Sequence, residues 1–233
     1  MINSRTFLKI PLHFTREILI YPPSVKEVLG NLDYGSYQRI FTISQEDLDE
    51  EIYKGENKNH TTPLEFLLIN CYNSPEFLEM TKKAFWFFTR QEITILYEQK
   101  KILLGDLRAF IGEAEDLESL KNIPAITEDN FFEFQNTIRV ACGGTAIKPP
   151  EPIDPDEDPR IAKIKAKARA RDRIKAKKGT VGGISFDTCL VAICCMGIGL
   201  TPLNIGEMSY AAVEPIMKTC QSKEKYEIDI RSL

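Results

Sequence analysis

The chain of 233 residues has little of the side-chain equipment that most catalysis uses. It holds only two histidines, His13 and His60, and neither stands near a cysteine or an acid at metal-ligand spacing. Six cysteines occur, Cys71, Cys142, Cys189, Cys194, Cys195 and Cys220, but no CxxC pair. A zinc site is therefore not expected. The glycine runs GGTAIK (143–148) and KKGTVGG (177–183) resemble phosphate loops only loosely, and neither matches GxxxxGK[ST] or GxGxxG. No GxSxG elbow is present. Acids are plentiful, but a general acid needs burial and a partner to tune it. Acids such as Asp47, Asp49, Glu50 and Glu51 are expected on an exposed helix face. No catalytic residue, cofactor or metal is therefore assigned, and a binding protein rather than an enzyme is expected.

Long apolar runs are missing too. The most apolar stretch, 184–200, is interrupted by Asp187 and Thr188 and ends at Thr201-Pro202, short of the roughly twenty residues of a membrane span. Residues 1–15 show no signal-peptide pattern, so the expected location is the cytoplasm with reduced thiols. Cysteines in that setting serve mostly as small core hydrophobes.

What the chain does have is a globular composition, 43% hydrophobic and 27% charged, with a net charge of −4. The charge is unevenly spread. Residues 149–159, PPEPIDPDEDP, carry five prolines and five acids and read as an extended linker. Residues 160–178 follow with ten Lys or Arg against one Asp, a net +9. Their Ala, Lys and Arg favour a helix, with a thin apolar stripe of Ile161, Ile164, Ala168 and Ile174. The remainder of the chain sums to −8, so two acidic bodies flank a cationic rod. Three roles stay open for that rod: a solvated connector, a dock for an acidic protein surface, or a phosphate-backbone contact. The candidate partner-binding residues are Arg160, Lys163, Lys165, Lys167, Arg169, Arg171, Arg173 and Lys175.

Before the linker, residues 5–12 and 16–21 read as two strands turning at 13–15. Ser24 with Glu27 forms a capping-box signal for a short helix stopped by Gly30, and Ser44 with Asp47 opens another. Thr62-Pro63 and Ser74-Pro75 each announce a longer helix. In the second, Phe77, Met80, Ala84, Phe87 and Phe88 recur at helical spacing, and Phe85 and Trp86 are expected to widen the same core face. Residues 92–104 alternate as a hairpin, and Thr127 opens a helix ended by Gly143-Gly144. After the rod, a buried helix is expected in 184–200, a second from about 205 with a kink near Pro215, and a third over 223–233. The patterned end at Leu233 fits either a short form or a chain that continues.

The expected fold class is α+β, mostly α. It comprises a helical N-terminal domain with small β-hairpins (1–148), a linker and basic connector helix (149–183), and a small C-terminal helical bundle (184–233).

The order IPLHF…ILIYPP at 10–23, FTISQEDL at 41–48, ITEDNFFEFQNTI at 126–138, then a basic helix and YEIDIRSL at 226–233, resembles the tail assembly chaperones of long-tailed phages of Gram-positive bacteria. The resemblance spans most of the chain and rests on short, non-catalytic motifs. It implies an assembly factor that coats the apolar, helical tape measure protein and keeps it soluble until tail-tube subunits displace it. It also implies self-association, with the tail-tube protein as a further partner. The acidic bodies and the rod of separate copies could pair, giving a salt-sensitive homo-oligomer. Two alternatives stand beside it: a structural component of a phage tail, neck or baseplate, and a nucleic-acid-binding protein acting through the rod.

Overall fold

The computed structural model describes residues 4–45, 47–48, 61–105, 123–147 and 186–231, with side chains in the last helix described as far as Lys223. The linker and the cationic rod, with every candidate partner-binding residue from Arg160 to Lys175, lie outside the described residues. So do His60 and residues 49–51. The fold is mixed α+β and mostly helical, with two small antiparallel sheets. Chain contacts divide it into two units, Met1–Ala146 with Gly206–Ala212, and Ile147–Ile205 with Val213–Leu233.

The first unit opens differently from the alternating pattern of its sequence. Ser4–Phe7 form one helical turn, α1, closed by Lys9 in the left-handed region (φ 58°). Phe7, Leu8 and Ile10 are exposed, so this apolar run faces away from the core. The hairpin is correspondingly short. Leu12–His13 (β1) pairs antiparallel with Leu19–Ile20 (β2), and Leu12 and Ile20 point inward.

Local capping then sets several helix starts as expected. Val25–Leu29 (α2) begins at Ser24, whose hydroxyl accepts from the Glu27 N–H while its own N–H donates to Glu27 Oε2 at 2.8 Å. Gly30 ends α2 in an ordinary helical conformation, φ −76°. Tyr34–Ile40 (α3) has no side-chain cap, and its polar, glycine-containing sequence hides it from a periodicity search; Tyr34, Tyr37 and Ile40 nevertheless turn inward. Ser44 and Asp47 bond reciprocally, Asp47 Oδ2 accepting from the Ser44 hydroxyl at 2.6 Å.

Pro63–Asn73 (α4) starts at the Thr62–Glu65 capping box, and Pro75–Thr89 (α5) at Ser74. Proline at the first helical position removes a donor that would have no intrahelical acceptor. The expected hairpin is present as Ile93–Leu96 (β3) and Lys101–Leu104 (β4). A third strand that the sequence reading omits, Ala125–Ile126 (β5), pairs with β4 through Ile102↔Ile126 and Leu103↔Ala125. Two residues are too few for a period to register. Glu128–Ala141 (α6) follows, with Asn130 Oδ1 accepting from the Thr127 N–H at 2.8 Å.

The core of this unit is aromatic. Phe41 meets Phe85, Phe88 and Phe134 edge-on at 5.0, 5.7 and 5.6 Å, and Phe85 stacks on Phe134 at 5.5 Å. All four are sealed from solvent. Residues 206–212, read from sequence as part of the C-terminal segment, belong to this unit. Ser209 forms an antiparallel bridge with Ser24, flanked by Val25 N–H to Met208 O and Tyr210 N–H to Pro23 O, both 2.9 Å.

In the second unit Phe186–Cys195 (α7) packs on Val213–Arg231 (α8). Two expectations are corrected here. Short 3₁₀ turns at Ile205–Glu207 and Tyr210–Ala212 replace the start of the expected second helix. Helices expected before and after residue 222 are instead the single α8, with no break at Pro215. Pro215 lies in the first turn, where its missing N–H has no acceptor to lose. Among the described residues no helix is long and apolar enough to cross a membrane.

Candidate functional site

Helix α5 carries the side chains that make the candidate site. Thr81, Ala84, Phe85 and Phe88 are buried and recur near the helical period, so they form its inner face. At 100° per residue Glu79, Lys82, Lys83 and Trp86 fall on the outer face. Trp86 is 52% exposed, which corrects the expectation that it widens the core. The run Phe85-Trp86-Phe87-Phe88 covers more than half a turn, so aromatic character alone cannot say which ring faces out. The signal was the lysine pair three and four residues earlier, on the side of the helix that Trp86 shares.

Trp86 and Phe87 line an open groove of about 510 Å³ together with Asn31, Tyr37, Lys82, Lys83, Glu92 and Ile93. The α2–α3 connection brings Asn31, α3 brings Tyr37, and the start of β3 brings Glu92 and Ile93. The floor is rigid. Phe87 sits 5.9 Å from the Tyr37 ring, 5.7 Å from Tyr34 and 5.0 Å from Phe88. At the end of α5, Arg90 adopts the left-handed conformation (φ 59°). Its guanidinium lies over the Phe87 and Tyr21 rings, at 5.7 and 5.9 Å, and is ion-paired with Glu27. Partial burial works to raise the Glu27 pKa, but the Ser24 hydrogen bonds and the Arg90 charge outweigh it and hold the carboxyl below its ordinary value. At the rim Lys82 Nζ is 2.7 Å from Glu79 Oε1, in a solvated pair of little energetic weight.

This arrangement suits binding. It offers aromatic faces, an amide and two ammonium groups in a concave, open setting. Asn31 Oδ1 accepts from the Asp33 N–H at 3.0 Å, and its amide NH₂ is a donor group. Large exposed apolar side chains also occur at Leu29 and Leu32, beside Asn31 in sequence, and at Ile69 and Tyr72 on α4.

Elsewhere the titratable groups are tied into the fold. Burial pushes the Cys142 thiol up to about 11, which keeps it protonated and a poor nucleophile near neutrality. Burial, then the neighbouring Cys142, raises the Tyr34 phenol well above its ordinary value. Cys71 and Cys189 are also buried, whereas Cys195 is exposed and Cys194 and Cys220 are half-buried. His13 is exposed. Among the described residues no three His, Cys, Asp or Glu side chains are grouped as metal ligands. No protein-family model, curated protein or solved structure matches the chain.

Proposed function

We propose that this protein is a tail assembly chaperone of a long-tailed phage, one that binds an apolar helical client, the tape measure protein, and keeps it soluble before tail-tube polymerisation. The observation that supports this reading is the half-exposed Trp86 in its open groove. The aromatic core beneath is complete without that ring, so folding does not require its position. Exposed apolar surface in a concave setting is what a binding protein offers to a partner. An amphipathic helix laid in such a groove would bury its apolar side against Trp86 and Phe87, and acids on its rim would meet Lys82 and Lys83.

Co-expression with the tape measure protein of the same phage tests the reading. The client should be soluble and co-purify with the wild-type chain, and Trp86→Ala should leave it in the pellet. Insolubility of the client with wild type would refute the proposal. Mass spectrometry of purified virions separates a chaperone from a structural tail component, because the chaperone should be absent from the particle.

A further inference from the structure

We infer that the Trp86 groove also recognises the proline-rich acidic segment, residues 149–158, of a second copy of this chain. A polyproline II helix repeats every three residues, with a rise of about 3.1 Å. The sequence spaces Pro149, Pro152 and Pro155 at that interval, so in this conformation they would share one face about 19 Å long from first to last. Proline-rich ligands of this form dock on exposed aromatic rings, because a pre-ordered extended backbone loses little entropy on binding.

The groove supplies what such a ligand needs. Trp86, half-exposed, offers a ring face, and the buried Tyr37 and Phe87 rings pack against each other beneath it as the floor. A proline-rich strand presents carbonyls with few N–H groups, so it requires donors; the Trp86 indole N–H and the Asn31 amide are donors. Lys82 and Lys83 face the charge carried between and after the prolines by Glu151, Asp154, Asp156 and Glu157. Glu92 also lines the groove, and Glu79 is bonded to Lys82, so the two lysines and the two acids together carry no net charge. The prolines therefore supply most of the affinity, and the lysines select an acidic segment and its direction.

The contact is between unlike surfaces, groove to segment, and it deepens the self-association part of the proposed function. It does not depend on the client: a chain that fails to solubilise any tape measure protein but self-associates through this groove leaves it standing.

The test uses the full chain. Trp86 is the single tryptophan, so its emission reports the groove alone. A synthetic peptide of residues 148–159 added to dilute protein should change that emission saturably, and a peptide with alanine at 149, 152 and 155 should not. Sedimentation should show self-association at least tenfold weaker in Lys82→Glu/Lys83→Glu and in Pro149→Ala/Pro152→Ala/Pro155→Ala. Mixing these two variants should restore a complex, because one keeps the segment and the other keeps the groove. Circular dichroism of each variant checks folding, and Trp86→Phe serves for sedimentation if the lysine variant is unfolded. A monomeric wild type at every concentration, an emission indifferent to the peptide, or a mixture that stays dissociated would overturn the inference. Association lost only when rod residues 163–175 are charge-reversed would also overturn it.

Discussion

Replacement of Glu27 by glutamine separates the Arg90 ion pair from the capping box at the junction of α2 and α5. The Glu27 carboxylate makes three interactions: its Oε2 accepts from both the Ser24 N–H and the Ser24 hydroxyl at 2.8 Å, and its Oε1 pairs with Arg90. Glutamine can keep its one acceptor oxygen on Ser24, but its NH₂ then faces the Arg90 guanidinium, so both the ion pair and the hydrogen bond to Arg90 are lost. The pair is partly solvated, with side-chain exposures of 37% and 35%, so its worth lies toward the upper end of an exposed ion pair, about 1 kcal/mol. Glu27→Ala also removes the reciprocal cap and should cost about 2 kcal/mol in all. For a chain of this length each kcal/mol lowers Tm by roughly 2–4 °C. The pH dependence has a definite sign. The folded pKa of Glu27 lies below its ordinary value of 4.5, so its contribution is full above that value and is lost as pH falls through the folded pKa. Urea denaturation of wild type and Glu27→Gln at pH 7 should therefore differ by about 1 kcal/mol. The two should converge as pH falls through the folded pKa, which lies below 4.5, and the wild-type carboxyl becomes protonated. A gap that persists undiminished at low pH would refute the assignment of the cost to the Arg90 charge.

Other substitutions probe different parts of the structure. Phe134→Ala empties the centre of the Phe41–Phe85–Phe88 cluster and should cost about 3–5 kcal/mol by denaturant titration. Gly143→Ala should cost more than about 1 kcal/mol, because φ is +87° and the added Cβ would lie 2.9 Å from the Ala211 backbone. Pro215→Ala should change stability and helix content little, since the proline stands in the first turn of α8; a marked gain in ellipticity would instead indicate a kink. Trp86→Ala should cost less than about 1 kcal/mol in folding while abolishing client capture, and a loss comparable to that of Phe134→Ala would place the ring in the core.

Much of the secondary structure was legible because it is decided locally. The starts of α2, α4 and α5 follow from Ser24, Thr62-Pro63 and Ser74-Pro75, whose side chains and fixed φ act on donors within three residues. Alternation over 92–104 revealed the β3–β4 hairpin, and Gly143 marked the end of α6. The reading failed where partners lie far away in the chain. Helix α3 and strand β5 have weak local signals and are held by α5 and β4. The apolar residues at 7–10 suggested a strand, but among the described residues no facing surface buries Phe7, Leu8 and Ile10.

The sequence by itself determined the mostly helical α+β class, the caps, and the concentration of charge after residue 148, since each depends on residue type and on neighbours within a few positions. Only the tertiary structure decided that Trp86 faces solvent while Phe85 and Phe88 seal the core. The same long-range packing brings Asn31, Tyr37 and Glu92 around it and ties residues 206–212 to Ser24. Four consecutive aromatic residues carry no preference among themselves for inside or outside. That choice falls to the shape and chemistry of the elements that α5 meets, which are far from it along the chain.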